Sequence, residues 1–150
     1  MKIFPFILLA MLVSGLVSCT QPNNGLTEAV TIETDRNSYI ATISSTVGIG
    51  LIPAQIIGKS SETVKFHWHT NYGYFIAWDP PDFKVNLLGT EVINNGENIY
   101  WSYDPSEMGI EKPSVTITLQ IEDGQTEQVL GETNLKIGWK DRDTAILVNH

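Results

Sequence analysis

Apolar and polar residues alternate along the chain from residue 27 onward, and this two-residue period is typical of β-strands with one buried face. The clearest stretch is 114–122, where polar residues separate Val115, Ile117, Leu119 and Ile121. These four side chains share one face, because successive strand residues point to opposite sides. The pattern therefore predicts a half-buried strand.

Three further segments show the same alternation, and weaker strands are predicted between them. The clear segments are 62–70, 99–103 and 135–139, and the weaker ones are 28–34, 38–44, 47–57, 74–78, 84–93 and 144–148. Turn-forming residues separate many of them, at Asp79-Pro80-Pro81-Asp82, Asn94-Asn95-Gly96, Asp104-Pro105 and Asp123-Gly124. After the first 18 residues, no segment of ten or more residues has helical periodicity. We therefore expect a nearly helix-free, all-β domain over residues 27–150.

Short strands with frequent turns over roughly 120 residues predict an antiparallel β-sandwich. The layout resembles the immunoglobulin-like modules that are common on bacterial surfaces, and this resemblance makes Trp68 the core tryptophan. The chain lacks the cysteine pair of true immunoglobulin domains, and no tyrosine stands where their tyrosine corner would fall, two residues before a buried position in 114–122. The alternative architecture is a small antiparallel β-barrel.

The first 18 residues have the layout of a secretory signal peptide. Lys2 precedes an apolar run over residues 3–13, and small and polar residues follow at Ser14-Gly15. A signal peptide has an apolar stretch of about 7 to 15 residues, whereas a membrane-spanning helix needs about 20. We expect this segment to be removed; the alternative is a retained membrane helix.

The segment Leu16-Val17-Ser18-Cys19 resembles the lipobox of bacterial lipoproteins. The resemblance implies that the Cys19 thiol receives a diacylglyceryl group and that the signal is cut just before it, leaving an amino terminus that is acylated in turn. Two or more acyl chains anchor a protein stably to a membrane. We therefore expect a lipid-anchored protein on the extracytoplasmic face of the cell membrane, with residues 19–26 as a tether.

Charge and cysteine content narrow the classes of partner. Cys19 is the sole cysteine, so an intramolecular disulfide is excluded. The chain has 17 acidic against 9 basic residues, and loss of Lys2 with the signal changes the net charge from −8 to −9. Nucleic acid and anionic lipid headgroups repel such a surface, so neither is an expected partner of the domain.

The candidate catalytic and metal-binding patterns are weak. His67 and His69 share one strand face and could chelate zinc or copper, but the nearby sequence supplies no third and fourth ligand. No nucleophile elbow or phosphate-binding loop is present, so we expect no catalytic residues and no cofactor. Five carboxylates lie in predicted loops, where aspartate commonly caps turns: Asp79, Asp82, Asp104, Asp141 and Asp143.

Aromatic residues are concentrated between residues 66 and 103, and alternation cannot bury all of them. The segment 70–75 has Asn71 and Gly73, which suit a tight turn, so Tyr72 is predicted at its tip and Tyr74 nearby. We expect these two tyrosines to contact a partner; the alternative is that Tyr72 folds back and covers the sheet edge.

The function predicted from these features is a membrane-anchored binding or accessory module of the cell envelope, with an envelope protein as partner and no enzymatic activity. Two alternatives stay open. One is a hydrolase of envelope polymers that uses the loop carboxylates, and the other is a domain that presents a loop to a protease.

Overall fold

The computed structural model describes residues 30–42, 47–54, 64–79, 81, 84–107, 109 and 111–148. These residues form eleven β-strands: β1 Thr31–Thr34, β2 Ser38–Tyr39, β3 Ile49–Ala54, β4 Val64–Thr70, β5 Tyr74–Asp79, β6 Lys84–Gly89, β7 Glu91–Asn94, β8 Ile99–Ser102, β9 Val115–Asp123, β10 Val129–Trp139 and β11 Ala145–Leu147. The only helical element among them is the single 3-10 turn Pro105–Glu107. The prediction of an all-β domain is confirmed.

The strands form two antiparallel sheets that pack face to face as a β-sandwich. One sheet has the order β1-β3-β8-β5-β6, and the other has the order β2-β11-β10-β9-β4-β7. Within the described residues the two sheets share no hydrogen-bonded strand pair, so the closed-barrel alternative is not the architecture of this domain. Strands that follow each other along the chain often lie in different sheets. For example, the chain crosses the sandwich between β4 and β5 and again between β6 and β7.

The core forms where the alternating faces of the two sheets meet. β9 buries the four residues that the pattern predicted, and β4 buries Val64, Phe66 and Trp68 against them. The indole of Trp68 is 1% exposed and meets the ring of Phe75, on β5 of the opposite sheet, edge to face. Trp68 is therefore a core tryptophan, as expected, and Trp101 in the opposite sheet is a second one.

Two strand predictions need correction. Residues 84–93 form two strands in different sheets, because the chain turns at Gly89, whose φ of +95° is a conformation that favours glycine. The strand expected at 135–139 begins at Val129. Its first half escaped detection because Gly131 and Thr133 occupy alternating positions on one face, so no apolar alternation is visible there.

Several expectations lie outside the described residues. They include the signal segment 1–18, Cys19 and the tether 19–26, together with parts of the strands predicted at 28–34, 38–44 and 47–57. Pro80 and Asp82 of the predicted turn at Asp79-Pro80-Pro81-Asp82 also fall there. Across the residues that the structure describes, no helix is long and apolar enough to cross a membrane.

Candidate functional site

An open groove of about 410 Å³ lies where β2 meets the outward side of β5 and β8. Tyr74 and Ser102 are directly opposite each other on β5 and β8, one residue along from the buried pair Phe75 and Trp101. Period-two alternation therefore turns Tyr74 and Ser102 away from the core and into the groove. The full lining comprises Tyr39, Ala41, Val47, Tyr74, Ile76, Val85, Ser102, Tyr103, Asp104 and Pro105.

Tyr39 holds the inner wall of the groove in place. Its hydroxyl donates to the carbonyl of Val47 at 3.0 Å, and it lies 3.1 Å from the hydroxyl of Ser102, which is then the donor to Tyr39. Burial raises the pKa of Tyr39, so its phenol stays neutral at physiological pH. This wall of the groove consists of fixed, uncharged hydroxyl groups.

Tyr103 is a second fixed point of the groove and is almost fully buried. Its hydroxyl donates to the carbonyl of Asp143 and accepts the backbone N–H of Ala41 at 3.3 Å. Burial raises its pKa as well. The ring also meets the rings of Tyr39 and Trp139 edge to face, which ties the groove to the core.

The groove mouth carries one carboxylate, on Asp104. One of its oxygens accepts the hydroxyl and the backbone N–H of Ser106, at 2.7 and 2.8 Å, and these hydrogen bonds lower the pKa of Asp104. Asp104 as a whole is partly exposed. The arrangement offers aromatic surface, hydroxyl groups and a negative charge at one opening.

The two tyrosines predicted as binding residues lie in different surroundings. Tyr74 lines the groove. Tyr72 instead packs its ring edge to face against Trp139, with centroids 6.4 Å apart, and its backbone carbonyl accepts hydrogen bonds from Trp101 and Thr70 at 2.8 and 2.7 Å. These contacts support the alternative in which Tyr72 covers the domain's own core; a binding role for Tyr72 stays a prediction.

The segment that carries Tyr72, residues 71–73, is a tight crossing between the sheets and does not join two paired strands as a hairpin would. β4 pairs with β7 and β9, whereas β5 pairs with β6 and β8, so the two strands are not partners. Gly73 has a φ of +74°, and a side-chain carbon there would collide with the carbonyl of Ser102. The tight passage directs Tyr72 inward, where its hydroxyl is buried without a hydrogen-bond partner among the described residues.

The histidine pair lies on the outer face of the six-stranded sheet. His67 on β4 bridges Glu91 on β7, at 2.6 Å from its Nε2, and Glu122 on β9, at 3.1 Å from its Nδ1. Burial alone would lower the pKa of His67, but the hydrogen bonds to both carboxylates outweigh it and raise the pKa. His69 on the same strand is exposed. The bridge links three neighbouring strands.

No set of three or more metal-ligating side chains converges within the described part of the chain. Two of the loop carboxylates, those of Asp104 and Asp141, cap turns. Asp141 accepts the backbone N–H groups of Asp143 and Thr144 at 3.0 and 2.9 Å, and the hydrogen bonds with Thr144 lead the causes that lower its pKa. Asp104 caps the turn at Ser106 in the same way.

Sequence reasoning missed the groove itself. Tyr39 is 63 residues from Ser102 along the chain, and their contact depends on how two strands of different sheets meet at one end of the sandwich. The alternation around Tyr74 and Tyr100 showed that some aromatic residues must face outward, but it did not identify which neighbours would surround them. The chain matches no family model, no curated protein and no solved structure.

Proposed function

We propose that this chain is a lipid-anchored lipoprotein whose extracytoplasmic, immunoglobulin-like domain binds an envelope component through the groove around Tyr74. The observation that carries this proposal is the groove itself, an opening of about 410 Å³ lined by tyrosines whose inner members are held by hydrogen bonds. Binding sites of this kind combine a largely preformed concave surface with a few fixed polar groups.

The strand order supports the immunoglobulin-like assignment. The strands β1-β3-β8-β5 follow the A-B-E-D order of a constant-type immunoglobulin sheet, and β4-β9-β10 follow the C-F-G order of its partner sheet. The other four strands extend these sheets at their edges. The two departures noted in the sequence, a missing cysteine pair and a missing tyrosine corner, leave this order of strands unchanged.

The lipid anchor is part of the same proposal and is tested at the amino terminus. Cys19 follows Leu16-Val17-Ser18 and an apolar segment, and the folded domain begins at most a dozen residues later. Replacement of Cys19 by Ala is expected to leave the chain unprocessed or released from the membrane, whereas Ser18→Ala is expected to change little. Mass spectrometry that finds an unmodified Cys19 at the mature terminus would contradict the anchor.

Binding through the groove is tested with one pair of tyrosine variants. Tyr74→Ala removes the ring that lines the groove, while Tyr100→Ala removes a ring of the same sheet that lies outside it. We expect the full-length Tyr74→Ala protein to lose envelope components that the wild type captures from solubilised membranes, with binding weakened by about 2 kcal/mol or more. Tyr100→Ala should keep them, and equal capture by both variants would exclude the groove as the binding site.

A further inference from the structure

The buried hydroxyl groups that line the groove already donate their protons to acceptors within the protein. Tyr39 donates to the carbonyl of Val47, and Ser102 then donates to Tyr39. Tyr103 donates to the carbonyl of Asp143. Because a hydroxyl carries a single proton, these three groups have none left for a ligand, and toward a ligand they can only accept a hydrogen bond.

The carboxylate of Asp104 adds acceptors and a negative charge to the same groove. Ser106 donates both its hydroxyl and its backbone N–H to one oxygen, Oδ1, and these hydrogen bonds lower the pKa of Asp104. Among the described residues, the other oxygen, Oδ2, receives no hydrogen bond, and no basic side chain forms an ion pair with Asp104. Asp104 therefore keeps an uncompensated charge and one oxygen with free lone pairs.

The surroundings of the groove supply no positive charge that would balance Asp104. The described lining residues include no lysine or arginine, and residues 42–46 of the sequence are uncharged. Arg36 acts electrostatically on Tyr39, but its guanidinium group is paired with Asp35 at 2.6 Å. The whole chain carries a net charge of −8. An anionic ligand is therefore repelled from the groove, and a cationic one is attracted.

We propose that the groove takes a lysine side chain of an envelope protein, with the ammonium group at Asp104 and the methylene chain along Tyr74 and Val85. The inference rests on the proposed function and names the chemistry of the partner. An ammonium group has three donors and no acceptor, so it matches a lining that accepts. A tyrosine ring attracts a cation to its face, and the half-exposed Val85 gains an aliphatic cover from the lysine stem.

The same lining discriminates against other polar ligands. A sugar hydroxyl both donates and accepts, but among the described lining side chains only the hydroxyl of Tyr74 has a proton to offer. Arginine binds a carboxylate best through two parallel hydrogen bonds, one to each oxygen. Because Ser106 already occupies Oδ1 of Asp104 with two hydrogen bonds, a single donor to Oδ2 suits the site better. Lysine meets that condition.

A nuclear magnetic resonance titration of the full-length protein in detergent micelles tests the proposal with Nα-acetyl-lysine-N-methylamide as the probe. The probe should shift the backbone signals of Tyr74 and Ser106, whereas its Nε-acetylated form, which lacks the charge, should not. Asp104→Asn keeps an oxygen for the hydrogen bonds of Ser106 but removes the charge, so it should weaken binding about three- to fivefold. Asp123→Asn is the matched control, because Asp123 accepts the backbone N–H groups of Gln125 and Thr126 in the same way but lies outside the groove lining.

Three results would overturn the lysine inference: no shift with the charged probe, equal binding of both probe forms, or equal weakening by Asp104→Asn and Asp123→Asn. Phosphoethanolamine tests an aminolipid headgroup, and tighter binding of it than of the lysine probe would also overturn the inference. These outcomes are separate from failure of the proposed function. If capture of envelope components depends on Tyr74 but the lysine probe does not bind, only the lysine inference fails. If the probe binds but Tyr74→Ala and Tyr100→Ala capture equally, the proposed function fails and the chemistry of the groove stands.

Discussion

The two most deeply buried tryptophans offer a direct measurement of what an indole N–H contributes to this core. Trp68 and Trp101 are 1% and 0% exposed, and they lie in opposite sheets. The N–H of Trp101 donates to the carbonyl of Tyr72 at 2.8 Å, whereas the N–H of Trp68 has no hydrogen-bond partner among the described residues. Replacement of each by Phe removes similar volume, so the two variants differ mainly in the N–H group.

The expected difference follows from the cost of each polar group. Trp101→Phe loses one net hydrogen bond, and Trp68→Phe removes a buried donor that has no partner in the described part of the chain. The two effects together amount to about 2 to 4 kcal/mol. The carbonyl of Tyr72 keeps the hydroxyl of Thr70 as a donor in the Trp101 variant, so no acceptor is left unpaired. We expect Trp101→Phe to be the more destabilising change by that amount. Trp68→Ala, which also leaves a cavity, should cost about 3 to 5 kcal/mol.

Urea unfolding followed by far-ultraviolet circular dichroism measures these free energies without relying on tryptophan fluorescence. The slopes of free energy against urea must agree among the variants for the comparison to hold. If Trp68→Phe proves as destabilising as Trp101→Phe, the indole N–H of Trp68 has a partner in the folded protein and the reasoning is refuted.

Two further predictions concern His67 and Tyr72. The folded pKa of His67 is raised above 6.5, so the stabilisation from its carboxylate contacts is fully present below that pH and is lost as pH rises through the folded pKa. The stability difference between wild type and His67→Gln, at most about 1 kcal/mol for a partly exposed pair, should therefore be largest below about pH 6.5 and shrink as the pH rises above it, and a constant difference would contradict this. Tyr72→Ala should lower the free energy of unfolding by about 1 to 3 kcal/mol. Tyr72→Phe should preserve or raise it, because the buried hydroxyl has no hydrogen-bond partner among the described residues. Unchanged stability of Tyr72→Ala with loss of envelope partners would instead make Tyr72 a binding anchor.

The strands were predictable wherever one face of the alternation is continuously apolar. Val115 to Ile121 and Val64 to Trp68 meet this condition, and both strands lie where they were expected. The pattern fails where glycine or threonine occupies the alternating position, as in the first half of β10, and where one apolar run crosses from one sheet to the other, as at Gly89. A local period describes faces, but it carries no information about which sheet a strand joins.

Because the alternation does not show which sheet a strand joins, the sequence could not predict the separate surroundings of Tyr72 and Tyr74. Tyr72 and Tyr74 are two residues apart and were expected to act together, but β4 and β5 belong to different sheets and Gly73 forms the crossing between them. The crossing places Tyr72 against Trp139 and leaves Tyr74 in the groove. The neighbours that give the groove its shape, Tyr39 and Tyr103, come from distant parts of the chain, so no sequence spacing could have predicted them.

The position of β1 determines how mechanical load enters the domain. β1 is an edge strand joined to β3 by four residue pairs, so a pull from the amino-terminal side opens these pairs one after another before it reaches any other strand. The next strand, β2, belongs to the opposite sheet, and Tyr39 within it is bonded to Val47 and Ser102. Once β1 has detached, the tension acts on β2, where Tyr39 is held to the opposite sheet by its hydrogen bond with Ser102. We therefore expect β1 to detach first under tension. Its four residues then add about 13 Å to the extended chain while the other strands stay paired.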